Sequence, residues 1–227
     1  MQRCAQENMN ENWNISGLIL EGVCGTGKTT LFHAIVQSDR FVQRSFPSAI
    51  ALSEHQTQRV LERKEREEGL SSKDNLVLLD QHVSYLESLR DRLDQMQWCN
   101  DNRTNMRIPY VLERFHLTHV FHYDHMSWES VEDVDSRLAN LNCKLCLVTM
   151  DDSMMEHRII TSRDAGWREY LKRYGDTTEE IVECYCNQQE MLRALCEKSR
   201  LDTLVVDTTD VSVQNTLDQV LDFWGAV

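Results

Sequence analysis

Two prolines in 227 residues, and no stretch rich in glycine and serine, leave the chain without a linker signal and argue for one continuous unit. Positive charge is also scarce. Twenty-four Lys and Arg stand against 37 Asp and Glu, a formal charge of −13. Polymer binding relies on neutralising many phosphates, so this deficit excludes a broad nucleic-acid surface, and it excludes a face held to anionic lipid. A small anion in one local basic cleft stays compatible with it. No apolar run nears the roughly 18 residues of a membrane span. The opening segment MQRCAQENMNENWN has no apolar core of a secretory signal, so a cytoplasmic protein is expected. Internal repeats and low-complexity tracts are absent as well.

What is present reads as globular, with 41% apolar and 27% charged residues. The eight cysteines are unevenly spread. Cys143 and Cys146 have redox or zinc spacing but lie in an apolar run that reads as a strand, where an offset of three puts the sulfurs on opposite faces. Reduced, buried thiols are the expectation.

Residues 1–16 read as a polar extension and 17–227 as the folded domain. Gly17–Gly22 suits a strand buried in a parallel sheet, followed by a helix from Lys28 to Gln37. Ser48–Leu52 is a short second strand. A helix over His55–Glu68 carries i,i+4 pairs Glu62–Arg66 and Lys64–Glu68. A long helix over Lys73–Trp98 has the apolar stripe Leu76, Leu79, Val83, Leu86, Leu89, Leu93. Then come a strand at Pro109–Leu112, a His-rich helix, an amphipathic segment Trp128–Leu141 and a strand at Lys144–Met150. Helical stretches Met154–Tyr174 and Thr177–Ser199, a strand at Leu201–Val206 and a helix at Val213–Phe223 close the chain. Strands alternating with helices predict an α/β fold with a mainly parallel sheet.

Gly22-Val-Cys-Gly-Thr-Gly27-Lys28-Thr29 fits G-x-x-x-x-G-K-[ST] in full, between a strand and a helix as the motif requires. Glycines Gly22, Gly25 and Gly27 let backbone N–H groups turn toward phosphate oxygens, and the helix N-terminus adds positive potential. Thr26 lies within this loop. Lys28 is expected on the β/γ-phosphates, Thr29 on Mg²⁺ and Thr30 near the α-phosphate of a purine triphosphate.

This loop, Glu113-Arg114 at a strand end, Arg158 and Arg163 around a later helix, and the strand-end segment Val206–Val211 resemble the thymidylate kinase and deoxynucleoside kinase group. The resemblance covers 17–224 in order and spacing. It implies a P-loop three-layer sandwich with a five-stranded parallel sheet and a helical lid. It also implies ATP-dependent, Mg²⁺-assisted phosphoryl transfer to a nucleoside, a nucleoside monophosphate or a similar small molecule. Glu113 then bears on Mg²⁺, Arg114 clamps the phosphoryl or the acceptor, and Arg158 and Arg163 supply lid charge. These two arginines are five apart, so one straight helix cannot aim both inward. Glu54 is either the base for an acceptor hydroxyl or an N-terminal helix carboxylate. Arg90 on the long helix is either the arginine that holds an acceptor phosphate or a plain salt-bridge partner of Glu87 or Asp94, and one or both of His116 and His119 are expected to contact the acceptor. Asp207 opens the donor-adenine segment. Dimerisation through the long helices is a further implication. Phe115 and the histidines after it depart from the group, which leaves room for a modified nucleoside or an antibiotic-like or sugar alcohol. The competing class is a P-loop ATPase or regulatory module, with Asp80 or Asp151 as the strand-end acid.

Overall fold

In a computed structural model the described residues are 15–44, 48–96 and 108–225. Five parallel strands form one sheet: β1 (Ile15–Glu21), β2 (Ile50–Leu52), β3 (Ile108–Glu113), β4 (Cys143–Thr149) and β5 (Thr203–Asp207), in the order β2-β3-β1-β4-β5. The sheet takes in Ile15 and Ser16, which the sequence reading assigned to the N-terminal extension. All five strands being parallel, both faces need covering, and β1 is buried at every position.

Alternation along the strands separates two cores. Ile15 and Ile19 of β1, with Cys143, Leu145 and Leu147 of β4, face one side. Leu18, Leu20, Cys146 and Val148 face the other, so Cys143 and Cys146 do lie on opposite faces. The first side is covered by α5 (Ser72–Gln95), α7 (Trp128–Ala139) and α9 (Thr178–Lys198). The second is covered by α1 (Lys28–Gln37), α2 (Asp39–Arg44) and α10 (Val213–Trp224). This is the three-layer α/β sandwich. The expected stripe on α5 is confirmed: Leu79, Val83, Leu86 and Leu93 are buried, and Leu76 and Leu89 pack beside them.

Two expected helices are broken. His55–Glu68 resolves into α3 (Glu54–Thr57), a 3-10 turn and α4 (Glu62–Glu67). The break falls at Gln58, because Thr57 bonds to β3 and Gln58 reaches Tyr123. The resulting ion pairs are Arg63–Glu67 and Lys64–Asp74, not the expected Glu62–Arg66 and Lys64–Glu68. Met154–Tyr174 divides into a π-helical turn at Glu156–Thr161 and α8 (Ala165–Leu171), where Asp164 caps the new N-terminus by accepting from Trp167 N–H. Between β3 and α7 lies α6 (His116–His122). Among the described residues no helix is long and apolar enough to cross a membrane.

Candidate functional site

The loop between β1 and α1 sits at the centre of the sheet, at the C-terminal ends of its strands. Gly22 has φ 146°, and a Cβ there would lie 2.3 Å from the Val148 carbonyl oxygen. Gly27, at φ 87°, turns the chain into α1. Loops of this form aim amide N–H groups at phosphate oxygens beside a helix N-terminus. Lys28 is only 4% exposed. Its Nζ donates to the Val23 carbonyl at 2.6 Å and to Thr26 Oγ1 at 3.4 Å, within the loop itself. Burial, with Arg114 adding, lowers its pKa from 10.5 to about 7.

Glu113 ends β3, beside β1, and is fully buried. Its Oε1 accepts from the Thr29 hydroxyl at 2.5 Å, and its Oε2 from the Glu54 N–H at 3.4 Å. Thr57 Oγ1 donates to the Glu113 carbonyl at 2.6 Å and docks α3 on β3. A hydroxyl and a carboxylate held together, with oxygen donors only, fit a hard divalent cation such as Mg²⁺. Arg114 adopts φ 55°, an uncommon conformation for a residue other than glycine, and its N–H bonds the Leu20 carbonyl. That turn sends its Nε to Glu54 Oε2 at 2.8 Å. Arg59 lies 3.5 Å from the other oxygen of Glu54. Burial opposes ionisation of Glu54, but Arg114, Lys28 and Arg59 outweigh it and hold the carboxyl below its usual range. The sequence-predicted residues Lys28, Thr29, Glu54, Glu113 and Arg114 thus converge.

Arg158 faces a second feature, a pocket of about 170 Å³ lined by Thr26, Gly27, Thr30, Thr208 and Val211 among others. Its guanidinium donates to the Thr208 and Thr209 carbonyls at 2.7 and 2.8 Å. The backbone around it lies against Gly25. Arg163 points elsewhere, its guanidinium 5.9 Å over the Trp167 ring on the surface. Arg163 lies beyond the π-helical turn that carries Arg158, so the two do not share one straight helix, and Arg163 is the exposed one. Asp207 accepts from Thr209 N–H at 2.7 Å and shapes the turn after β5.

Three expected acceptor contacts lie outside the site. Arg90 is paired with Asp91 and reaches the Asn140 carbonyl, just before β4 begins, at the opposite end of the sheet from the phosphate loop. His116 is wholly buried against Asp135, at 3.0 Å. His119 is wholly buried too, with Nε2 at 3.0 Å from the Thr57 carbonyl and Nδ1 at 2.9 Å from Asn75 Nδ2. Burial lowers its pKa to about 4, which keeps the ring neutral. Neither ring reaches a cleft; both are buried structural links. Asp80, on α5, is an exposed partner of Arg137 and no strand-end acid, and Asp151 caps a 3-10 turn.

Several participants escaped the sequence reading. Glu21, buried at the end of β1, accepts from Phe115 N–H, Thr118 N–H and the Thr118 hydroxyl, fixing the start of α6. A carboxylate placed directly after an apolar run and before the loop was the available signal. Thr57, Asn75 and Asp135 gave none. A cleft of about 850 Å³ lies between α4, the end of α6 and α9, walled by His122, Tyr123, Tyr174 and Cys184 among others. None of Lys28, Thr29, Glu54, Glu113 or Arg114 lines it, and Gln58 after α3 donates to Tyr123 on its wall at 3.4 Å. Arg114 and Arg173 add to the burial that lowers His122 to about 4. Tyr185 packs on Tyr174, with ring centroids 5.4 Å apart.

No protein-family model and no curated protein sequence matches the chain. Solved structures do. YorR from Bacillus subtilis, in complex with phosphorylated GDP, superposes with a TM-score of 0.55 at 13% identity over 92% of this chain and 95% of its own. A shikimate kinase from Bacteroides thetaiotaomicron gives 0.51 at 10% identity, over 92% and 98%. A thymidylate kinase from Ehrlichia chaffeensis gives 0.47 at 12% identity, over 92% and 98%. The fold is that of the P-loop kinases. Within a P-loop kinase fold, Glu113 occupies the end of the strand beside β1, and the 850 Å³ cleft opens on the side of the sheet away from α1.

Proposed function

We propose that the chain transfers the γ-phosphoryl group of ATP, with Mg²⁺, to an oxygen nucleophile of a small molecule. The observation that carries this reading is the cradle in which buried Lys28, the Thr29 hydroxyl and the Glu113 carboxylate meet behind the phosphate loop. Loop N–H groups bind the β-phosphate, and the Lys28 ammonium turns from Val23 to the transferring oxygens. Thr29 and Glu113 would hold Mg²⁺, which when bound neutralises the β- and γ-oxygens. Arg114 lies close enough to Glu54 to bring positive charge beside the acceptor oxygen. Charge placed in advance lowers the barrier because it needs no reorganisation at the moment of transfer. The 170 Å³ pocket beside Thr208 suits the donor base, and Arg158 would brace its wall.

A nucleoside, a nucleoside monophosphate or a non-nucleoside alcohol would each serve as acceptor in this frame. The ATPase reading has no support of its own, since Asp80 sits exposed on a helix. The test is Lys28→Ala in a coupled ADP-release assay over nucleosides, monophosphates and small alcohols. Phosphoryl transfer is expected to fall at least about a hundredfold; an unchanged rate would refute the kinase reading.

A further inference from the structure

Glu113 and Arg114 are neighbours in the chain, yet both side chains serve one site: Glu113 meets Thr29 and Arg114 meets Glu54. Successive residues of a strand point to opposite faces, so a strand continued through Arg114 would bring only one of them there. Both arrive because the chain leaves β3 at Arg114, whose φ of 55° lies in the left-handed region. A residue with a Cβ takes up that conformation at a cost, and its surroundings have to hold it there.

The turn is fastened on both sides. Before it, the Arg114 N–H donates to the Leu20 carbonyl at 2.9 Å, and Thr57 Oγ1 donates to the Glu113 carbonyl at 2.6 Å. After it, the fastening is Glu21. Its Oε1 accepts from the Phe115 N–H at 2.9 Å and the Thr118 N–H at 3.2 Å, and its Oε2 accepts from the Thr118 hydroxyl. Glu21 is wholly buried, its backbone is set in the sheet opposite Leu147, and Gly22 directly after it opens the phosphate loop. These three donors are uncharged, so the side chain acts here as an acceptor of fixed length and place. Arg114 cannot relax from its turn without unpairing buried N–H groups, which is costly.

Resting on the kinase reading above, in which Arg114 brings charge to the transferring group, we infer that Glu21 is a positioning residue for phosphoryl transfer. By holding Phe115 and Thr118 it fixes the Arg114 turn, and with it the reach of the guanidinium to Glu54. It does so from the residue that precedes the phosphate loop, so one side chain sets the arginine relative to the donor seat. A displacement of about 1 Å in a positioned group costs about a hundredfold in rate. ATP affinity is untouched by it, since the loop N–H groups and Lys28 hold the nucleotide.

Two variants of the full chain separate length from charge. Glu21→Gln keeps the length and the oxygen for the two N–H groups, while the Thr118 hydroxyl turns to accept from the new amide. Glu21→Asp keeps the charge but draws the oxygens back by one methylene. ADP release is followed with Mg²⁺, ATP and the fastest acceptor among nucleosides, monophosphates and small alcohols. ATP affinity is read by calorimetry, and solvent exchange of the Arg114 Nε–H by heteronuclear NMR, its signal assigned by loss in Arg114→Lys. Glu21→Asp is expected to lower kcat about a hundredfold and Glu21→Gln to restore it to within about fivefold, both with the ATP Kd within about twofold. Exchange of the Arg114 Nε–H should quicken at least about tenfold in Glu21→Asp and stay slow in Glu21→Gln. In Arg114→Gly the turn is free of cost and no guanidinium remains to be placed, so adding Glu21→Asp should change the residual kcat less than about twofold.

Glu21→Asp with the kcat and the Nε–H exchange of the wild type would overturn the inference. So would Glu21→Gln falling below Glu21→Asp, or losses that multiply in the double variant. If Glu21→Asp does not fold, Thr118→Val, which removes the hydroxyl donor alone, takes its place: faster Nε–H exchange supports the inference and an unchanged rate opposes it. A wild type that binds ATP and turns over no acceptor would refute the kinase reading, and the exchange rates would still decide whether Glu21 places Arg114.

Discussion

Lys28 offers a test that depends on no knowledge of the acceptor. Without nucleotide its ammonium is buried and held by one carbonyl and one hydroxyl, and burial together with Arg114 lowers its pKa from 10.5 to about 7. The folded value lies below the unfolded one, so between about pH 7 and 10.5 the unfolded chain binds the extra proton. Stability contributed by this group therefore rises with pH across that window, and the whole penalty is felt below about 7. The displacement corresponds to about 5 kcal/mol as an upper bound. A triphosphate seated in the loop supplies the missing negative charge and restores the proton. At pH 8 a lysine of pKa about 7 is about 0.9 neutral, so binding should take up about 0.9 proton; at pH 6 the figure falls to about 0.1.

Calorimetric titration of Mg²⁺-ATP in two buffers of different ionisation enthalpy reads this directly, as the slope of apparent binding enthalpy against buffer enthalpy. Lys28→Met, run alongside at higher protein concentration, subtracts the ionisation of the nucleotide itself. Equal slopes for the wild type and Lys28→Met at pH 8 would refute the account of a neutral, desolvated lysine. So would an uptake that stays constant from pH 6 to pH 8.

Glu113→Gln keeps the shape of the side chain but removes the charge behind the Thr29 hydroxyl. Mg²⁺-dependent turnover should fall about a hundredfold while Asp80→Asn stays within about twofold; a reversed order in steady-state kinetics would favour the ATPase class. Asp135 receives His116 Nε2, the Ser199 hydroxyl and the Arg200 N–H in the core beneath α6. Asp135→Ala leaves these donors without an acceptor and should cost about 3–5 kcal/mol in urea unfolding, seen as a lower midpoint at constant slope. A loss below about 1 kcal/mol would show that water replaces the carboxylate.

Most strands and long helices were legible because their signals are local. An apolar run ending at a glycine marked β1. The phosphate loop was legible for the same reason, since residue types at fixed spacing dictate its backbone. The two broken helices were not. The break at Gln58 comes from Thr57 reaching β3, a partner 56 residues away that helical periodicity cannot reveal. The break before α8 left a trace in the sequence, an Asp164 that could cap, but without the turn before it the residue reads like any helical carboxylate.

The misplaced acceptor residues share one physical cause. A hydrophobic stripe tells which side of a helix faces the core, and says nothing of how far along the helix a residue sits. Arg90 lies next to the stripe of α5, as expected. Yet Asn75, which bonds His119 near the site, is 15 residues earlier on the same helix, or about 22 Å at 1.5 Å per residue. No side chain spans that distance. The same reasoning separates the histidines: the start of α6 is fastened inward by Glu21, burying His116 and His119, while His122 and His125 at and beyond its end line the cleft. The cleft wall is built from the N-terminal end of α9 and the C-terminal end of α6, and Arg90, the arginine considered for an acceptor phosphate, is absent from it. That absence follows from helix length and direction alone.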